Sequence, residues 1–125
     1  MKIEDKKHDQ LAEIHHSVSA YIKPCREIAA WIPKAPNSSL YFHVEIAIYQ
    51  TEKGYNNSVS YYVDLYYSGK KDARPQDVHY YTEKEAITNA IKTLEEFKKH
   101  NLPSPFCSLL KEIKTYLEIP MSTLF

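Results

Sequence analysis

Apolar residues recur along the first quarter of the chain at alternating spacings of three and four: Leu11, Ile14, Val18, Tyr21, Cys25, Ile28 and Ile32. Ile22 and Ala29 widen the stripe on one side. A three-in-seven apolar face is what a helix packed on a globular core presents, so the pattern predicts a long helix over residues 4–32. Pro24 removes one backbone hydrogen bond and disfavours helical geometry at Lys23. The apolar phase runs through it, which predicts a kink and not a break. A strict two-in-seven seam would have pointed to a coiled coil. The wider stripe favours burial, and a homodimer paired through this first helix is the alternative.

The segment IPKAPNSS, with two prolines and a polar cluster, ends the helix in a linker. The period then changes to two. In LYFHVEIAIYQ, 40–50, Phe42, Val44, Ile46 and Ile48 point one way, and Tyr41, His43, Glu45, Ala47 and Tyr49 the other. TEKGYNN reads as a turn. SVSYYVDLYYS follows as a second strand, with Val59, Tyr61, Val63, Leu65 and Tyr67 on one face and Ser60, Tyr62, Asp64, Tyr66 and Ser68 on the other. The linker GKKDARPQD leads to a short third strand, VHYY, 78–81.

Two helices complete the chain. Thr82 and Glu85 form a capping box, and Ala86, Ile87, Ala90, Ile91, Leu94 and Phe97 give the helix behind them an apolar face up to about His100. Glu95 and Lys99 read as an i,i+4 ion pair on its wet side. NLPSP breaks the chain. Ser104 caps a last helix with Pro105 at its first position, buried by Phe106, Leu109, Leu110, Ile113, Tyr116 and Leu117 and ended by Pro120. The expectation is a single α+β domain over 1–125, ordered α-β-β-β-α-α. It is a two-layer, three-stranded antiparallel meander with a long N-terminal helix and two C-terminal helices on its apolar face.

Nine of the eleven tyrosines lie between residues 41 and 81, so the alternation produces a tyrosine-rich outer sheet face. Charge argues the register: pairing residues whose numbers sum to 107 sets His43 opposite Asp64, Tyr41 opposite Tyr66 and Glu45 opposite Tyr62. The register two residues away would oppose Glu45 and Asp64, a like-charge pair. Cross-strand tyrosines stabilise a wet sheet without further purpose. They also make good contact residues in protein interfaces, or platforms on which nucleic-acid bases stack.

Composition narrows the choice. The formal charge is zero, and the sixteen basic residues are fourteen Lys against Arg26 and Arg74. A dedicated nucleic-acid binder shows a basic face and Arg forks, so protein binding is the favoured reading. No apolar run reaches the length of a membrane span, and the N-terminus has no apolar signal core, which predicts a soluble, cytoplasmic protein. Cys25 and Cys107 stand apart, outside any CxxC or Cys/His pattern, and read as buried free thiols.

Candidate chemistry is thin. Glu13-Ile-His15-His16 holds one Glu-x-x-His, whereas carboxylate di-iron bundles need two such motifs and two further Glu. His8, His15 and His16 read as histidines at the margin of a packed helix. His43, Asp64 and His79 would make an acid/base pair or metal site if the sheet brought them together, but an open face excludes no water. No serine sits in a nucleophile-elbow context, and Gly54 and Gly69 alone cannot make a phosphate loop. The chain therefore reads as a non-enzymatic interaction module with no catalytic residue, metal or cofactor. Its class is that of inhibitors, immunity or anti-defence proteins, or accessory factors of mobile elements. The expected contact set is Tyr41, His43, Tyr62, Asp64, Tyr66, His79 and Tyr81. The alternative is a nucleic-acid-associated protein stacking bases on the same tyrosines with Lys70, Lys71 and Arg74.

Overall fold

A computed structural model describes residues 2–32, 42–63, 67–97 and 104–118. Among these the chain forms β1 (Lys2–Lys7), β2 (Glu13–His15), β3 (Ala20–Ile22), β4 (Arg26–Ile32), β5 (Phe42–Thr51), β6 (Gly54–Val63) and β7 (Tyr67–Lys71). Two helices follow, α1 (Glu83–Phe97) and α2 (Ser104–Tyr116). Strands β1-β4-β5-β6-β7 make one antiparallel sheet in that order, and β2-β3 a separate hairpin. The α+β class with an antiparallel sheet holds. The three-stranded meander with a long N-terminal helix does not, and a homodimer through that helix loses its basis with it.

The N-terminal correction has a physical cause. Ile28 and Ile32, four apart, share a face in a helix and in a strand alike. Arg26-Glu-Ile-Ala-Ala-Trp-Ile32 alternates with period two once it pairs on both sides: Ile28 and Ala30 are buried, while Glu27 stays exposed. Of the rest of the supposed stripe, Tyr21 and Cys25 are buried, whereas Leu11, Ile14, Val18 and Ile22 are exposed and serve no core. Lys23, ahead of Pro24, sits at φ 65°, and Ser19 at φ 51°, so the backbone leaves the right-handed region twice within this segment.

The β5–β6 faces match the alternation, but their register differs from the expected one. His43 lies opposite Tyr62 and Glu45 opposite Ser60, because the chain turns at once between Thr51 and Gly54. The hydroxyl of Thr51 accepts from Lys53 N at 3.1 Å within that turn. Gly54 adopts φ 124°, and a Cβ there would lie 2.5 Å from the Tyr80 carbonyl oxygen, so no other residue fits. The tight turn overrides the charge argument, and Tyr55, Asn56 and Asn57 join the strand. SVSYYVDLYYS is likewise not one strand: β6 ends at Val63 and β7, the sheet edge, starts at Tyr67. The strand expected at 78–81 reduces to a single bridge between Tyr80 and Tyr55.

Both helices cover one sheet face, α1 over β5 and β6 and α2 over β4. Thr82 Oγ1 accepts from Glu85 N at 3.1 Å, the capping half of the expected box. Phe42, Val44, Ile46, Ile48, Val59, Tyr61 and Val63 from the strands meet Ile91, Leu94, Phe106, Leu109 and Ile113 from the helices. The Tyr61 ring lies 5.0 Å from Phe97 and 5.3 Å from Phe106, centroid to centroid, and its edge occupies the space over Gly69 in β7. Glu95 does not lie on the wet side. It pairs across the helices with Lys114, whose side chain is 1% exposed; Lys99 lies outside the described residues.

Two polar clusters tie the layers together. Arg26 donates to both carboxylate oxygens of Asp5, at 3.0 and 2.7 Å, and to Glu83 at 2.8 Å, while the Tyr116 hydroxyl donates to Asp5 at 2.9 Å. The guanidinium holds the Asp5 carboxyl below the usual carboxylate range against the opposing effect of burial, and the hydrogen bonds with Asp5 push Arg26 up in turn. Asn57 donates from the sheet to Ala86 O at 2.8 Å and to Asn89 Oδ1 at 3.1 Å in α1. Cys25 is buried and free, its thiol pushed up by desolvation first and the Glu83 charge second; Cys107 is free and half-buried.

Candidate functional site: the outer sheet face

Among the described residues, the face opposite the helices is covered only in part. The chain between β1 and β4 folds back over its far end as the β2-β3 hairpin, held by Ala12 N to Gln50 O and Tyr21 N to Ala73 O, both 2.8 Å. Tyr21 stacks on Tyr49 with ring centroids 6.2 Å apart, and Ala73 closes over both. Asn56, on the same face, is buried here and donates to Arg74 O at 2.8 Å. His79 belongs to this covered end. Its Nδ1 lies 2.9 Å from the Asp77 carbonyl, which can only accept, so Nε2 accepts from the Tyr21 hydroxyl at 3.1 Å.

The uncovered part is ordered by register. One row across the strands reads Trp31, His43, Tyr62. Trp31 meets His43 edge-on with centroids 6.1 Å apart, and His43 meets Tyr62 at 5.7 Å, so the three rings make one ridge. Beyond it lie Ala29, Glu45 and Ser60, then Glu27, Ala47 and Ser58. Small side chains at four of these six positions leave a trough of about 430 Å³ between ridge and hairpin, lined from all five strands of the sheet and flanked by Glu4 and Lys6 on β1 and Lys70 on β7.

The carboxylates of this floor face imidazoles. Glu27 Oε2 lies 2.9 Å from His8 Nε2, and Glu45 Oε1 lies 3.3 Å from His43 Nε2 while Oε2 accepts from the Ser60 hydroxyl at 3.3 Å. Burial raises the Tyr49 phenol above its ordinary value, opposed by its hydrogen bond with Ser58. Lys70 sits 4.0 Å from Asp72 and Lys71 3.8 Å from Asp77, so the basic edge carries its own counter-charges.

Of the seven expected contact residues, His43 and Tyr62 come together on the ridge. Tyr41, Asp64 and Tyr66 lie outside the described residues. His79 stands at the opposite end of the face, about six residues and roughly 20 Å along β5 from His43, so those two imidazoles do not share a site. Tyr81 is 93% exposed on the approach to α1 and has no part in the ridge. Lys70 and Lys71 lie on the edge strand, and Arg74 is exposed beside the hairpin cover. Trp31 is absent from the expected set because helical spacing over 11–32 gives it no place on the sheet; period two over 26–32 sets it on the face of Glu27 and Ala29. Among the described residues no three His, Cys, Asp or Glu gather in a geometry that holds a metal ion, and no helix is long and apolar enough to cross a membrane. Comparison with protein-family models, with curated proteins and with solved structures returns no match.

Proposed function

We propose that this chain is a non-enzymatic interaction module that binds a protein partner through the uncovered half of its outer sheet face, acting as an inhibitor, an anti-defence or immunity protein, or an accessory factor. The observation that carries the reading is the Trp31–His43–Tyr62 ridge beside a floor of small side chains. Trp and Tyr dominate interface hot spots because they bring large rigid contact area at small entropic cost. Tyr62 is 41% exposed, which leaves ring surface for a partner to bury. The trough is open to solvent and surrounds no reacting constellation, so binding suits it better than catalysis. Base stacking on the same rings is disfavoured by Glu27 and Glu45, which would face phosphates with like charge.

The test is affinity capture from source lysate, with and without nuclease treatment, using the wild-type chain and Trp31→Ala/Tyr62→Ala. The double variant is expected to lose the captured protein while keeping the wild-type circular dichroism. Capture that is equal for both variants refutes the reading. Capture that disappears on nuclease treatment instead supports the nucleic-acid alternative.

A further inference from the structure

We infer that the trough receives a lysine- or arginine-bearing α-helix of the partner protein, lying across the strands between the aromatic ridge and the β2-β3 hairpin. This rests on the outer face being the binding surface and adds the chemistry of what binds there.

Width is the first argument. The ridge at His43 and the wall at Tyr49 are six residues apart on β5, roughly 20 Å centre to centre at strand rise. Half an aromatic thickness on each side removes roughly 1.7 Å apiece, leaving roughly 16 Å, which admits a helix with its side chains at about 10–12 Å. Ala29, Ala47, Ser58 and Ser60 keep that floor low, so a helix can approach closely.

Backbone chemistry is the second. The middle of a paired sheet offers side chains and no free ladder groups. An extended peptide laid across it would bury N–H and C=O groups without partners. A helix satisfies its own backbone, so it is the form that can cross the strands.

Charge is the third. Glu27 and Glu45 have side chains 51% and 52% exposed and face imidazoles, with no Lys or Arg in ion-pair range among the described residues. Glu4 adds a third carboxylate on β1 against one lysine there, Lys6, opposite Glu27, whereas Lys70 and Lys71 stand at the β7 end beside Asp72 and Asp77. The β1–β5 half of the trough is therefore the more acidic one. Cationic side chains over Glu27 and Glu45 complement it, and the positive N-terminal end of a helix is favoured on the same side.

Trp31 is the sole tryptophan of the chain and stands on the ridge one row from Ala29 of the floor, so its emission responds to a helix seated against that ridge. The probes are a soluble alanine-rich helical peptide with one stripe of lysines, the same peptide with glutamate for lysine, and the lysine peptide interrupted by central prolines. The lysine helix is expected to change Trp31 emission saturably. Glu27→Lys/Glu45→Lys should weaken it on the order of tenfold or more, while Glu112→Lys on the exposed side of α2 should leave it unchanged. No saturable change, or equal binding of the glutamate or proline-interrupted peptide, overturns the proposal. If Trp31→Ala/Tyr62→Ala abolishes partner capture and Glu27→Lys/Glu45→Lys does not, the basic helix is wrong and the binding face stands. If the alanine pair leaves capture intact, the face itself is wrong and the helix falls with it.

Discussion

Gly69 and Lys114 show how single positions constrain this molecule. A Cβ at Gly69 would overlap the Tyr61 ring, which is itself packed between Phe97 and Phe106 and has nowhere to move. Gly69→Ala is expected to destabilise by roughly 1–3 kcal/mol, the usual scale of overpacking, as urea unfolding would measure. Asp5 carries a pH dependence whose sign follows from its lowered folded value. Its contribution is complete above the unfolded pKa of about 3.9. It is lost as pH falls through the folded value, when the carboxylate that Arg26 grips becomes protonated. Asp5→Asn should cost roughly 1–3 kcal/mol at neutral pH. Its deficit relative to wild type should shrink below about pH 4, which urea titrations at a series of pH values would show.

Between elements, the decisive contacts are polar groups buried where two layers meet. The Glu95–Lys114 pair joins α1 to α2 with the lysine almost fully enclosed. Lys114→Ala leaves a buried carboxylate without its cation and should cost about 3–5 kcal/mol. The paired replacement Glu95→Leu/Lys114→Met should recover most of that, because a matched apolar pair removes both desolvation costs together. Full loss of folding in the paired variant would contradict this. Arg26 plays the corresponding part for β1, an edge strand rich in charge that contributes only Ile3 to the core margin. Arg26→Ala should let the β1 amides exchange faster than those of β5, as hydrogen exchange would detect.

At the scale of the whole molecule, two helices cover one sheet face and a hairpin covers half of the other. The remaining half carries no cover among the described residues, and it is the surface we propose for the partner. Trp31→Ala/Tyr62→Ala should leave the unfolding free energy within about 1 kcal/mol of wild type, as expected for half-exposed positions outside the main core, while removing partner capture. A large loss of stability would instead assign the ridge a structural role.

Local patterning was sufficient for the elements whose periodicity answers to one core face. Phe42 to Ile48, Val59 to Val63, the Thr82 cap and the apolar stripes of α1 and α2 are where alternation and helical spacing place them, except Tyr116, which is exposed and bonds Asp5 instead. His43 and Tyr62 were therefore legible as outward-facing. What local pattern does not contain is pairing between distant segments. A spacing of three and four over 11–32 fits a helix in isolation. β4 becomes a strand because β1 and β5 supply ladder partners on both sides, and Leu11, Ile14, Val18 and Ile22 stay wet because the hairpin contacts the sheet through Tyr21 and Ala12 instead. Register depended on one turn at Thr51–Gly54. Trp31 reached the ridge only through those long-range hydrogen bonds, since which residues become neighbours across strands is set by backbone pairing that no single segment carries.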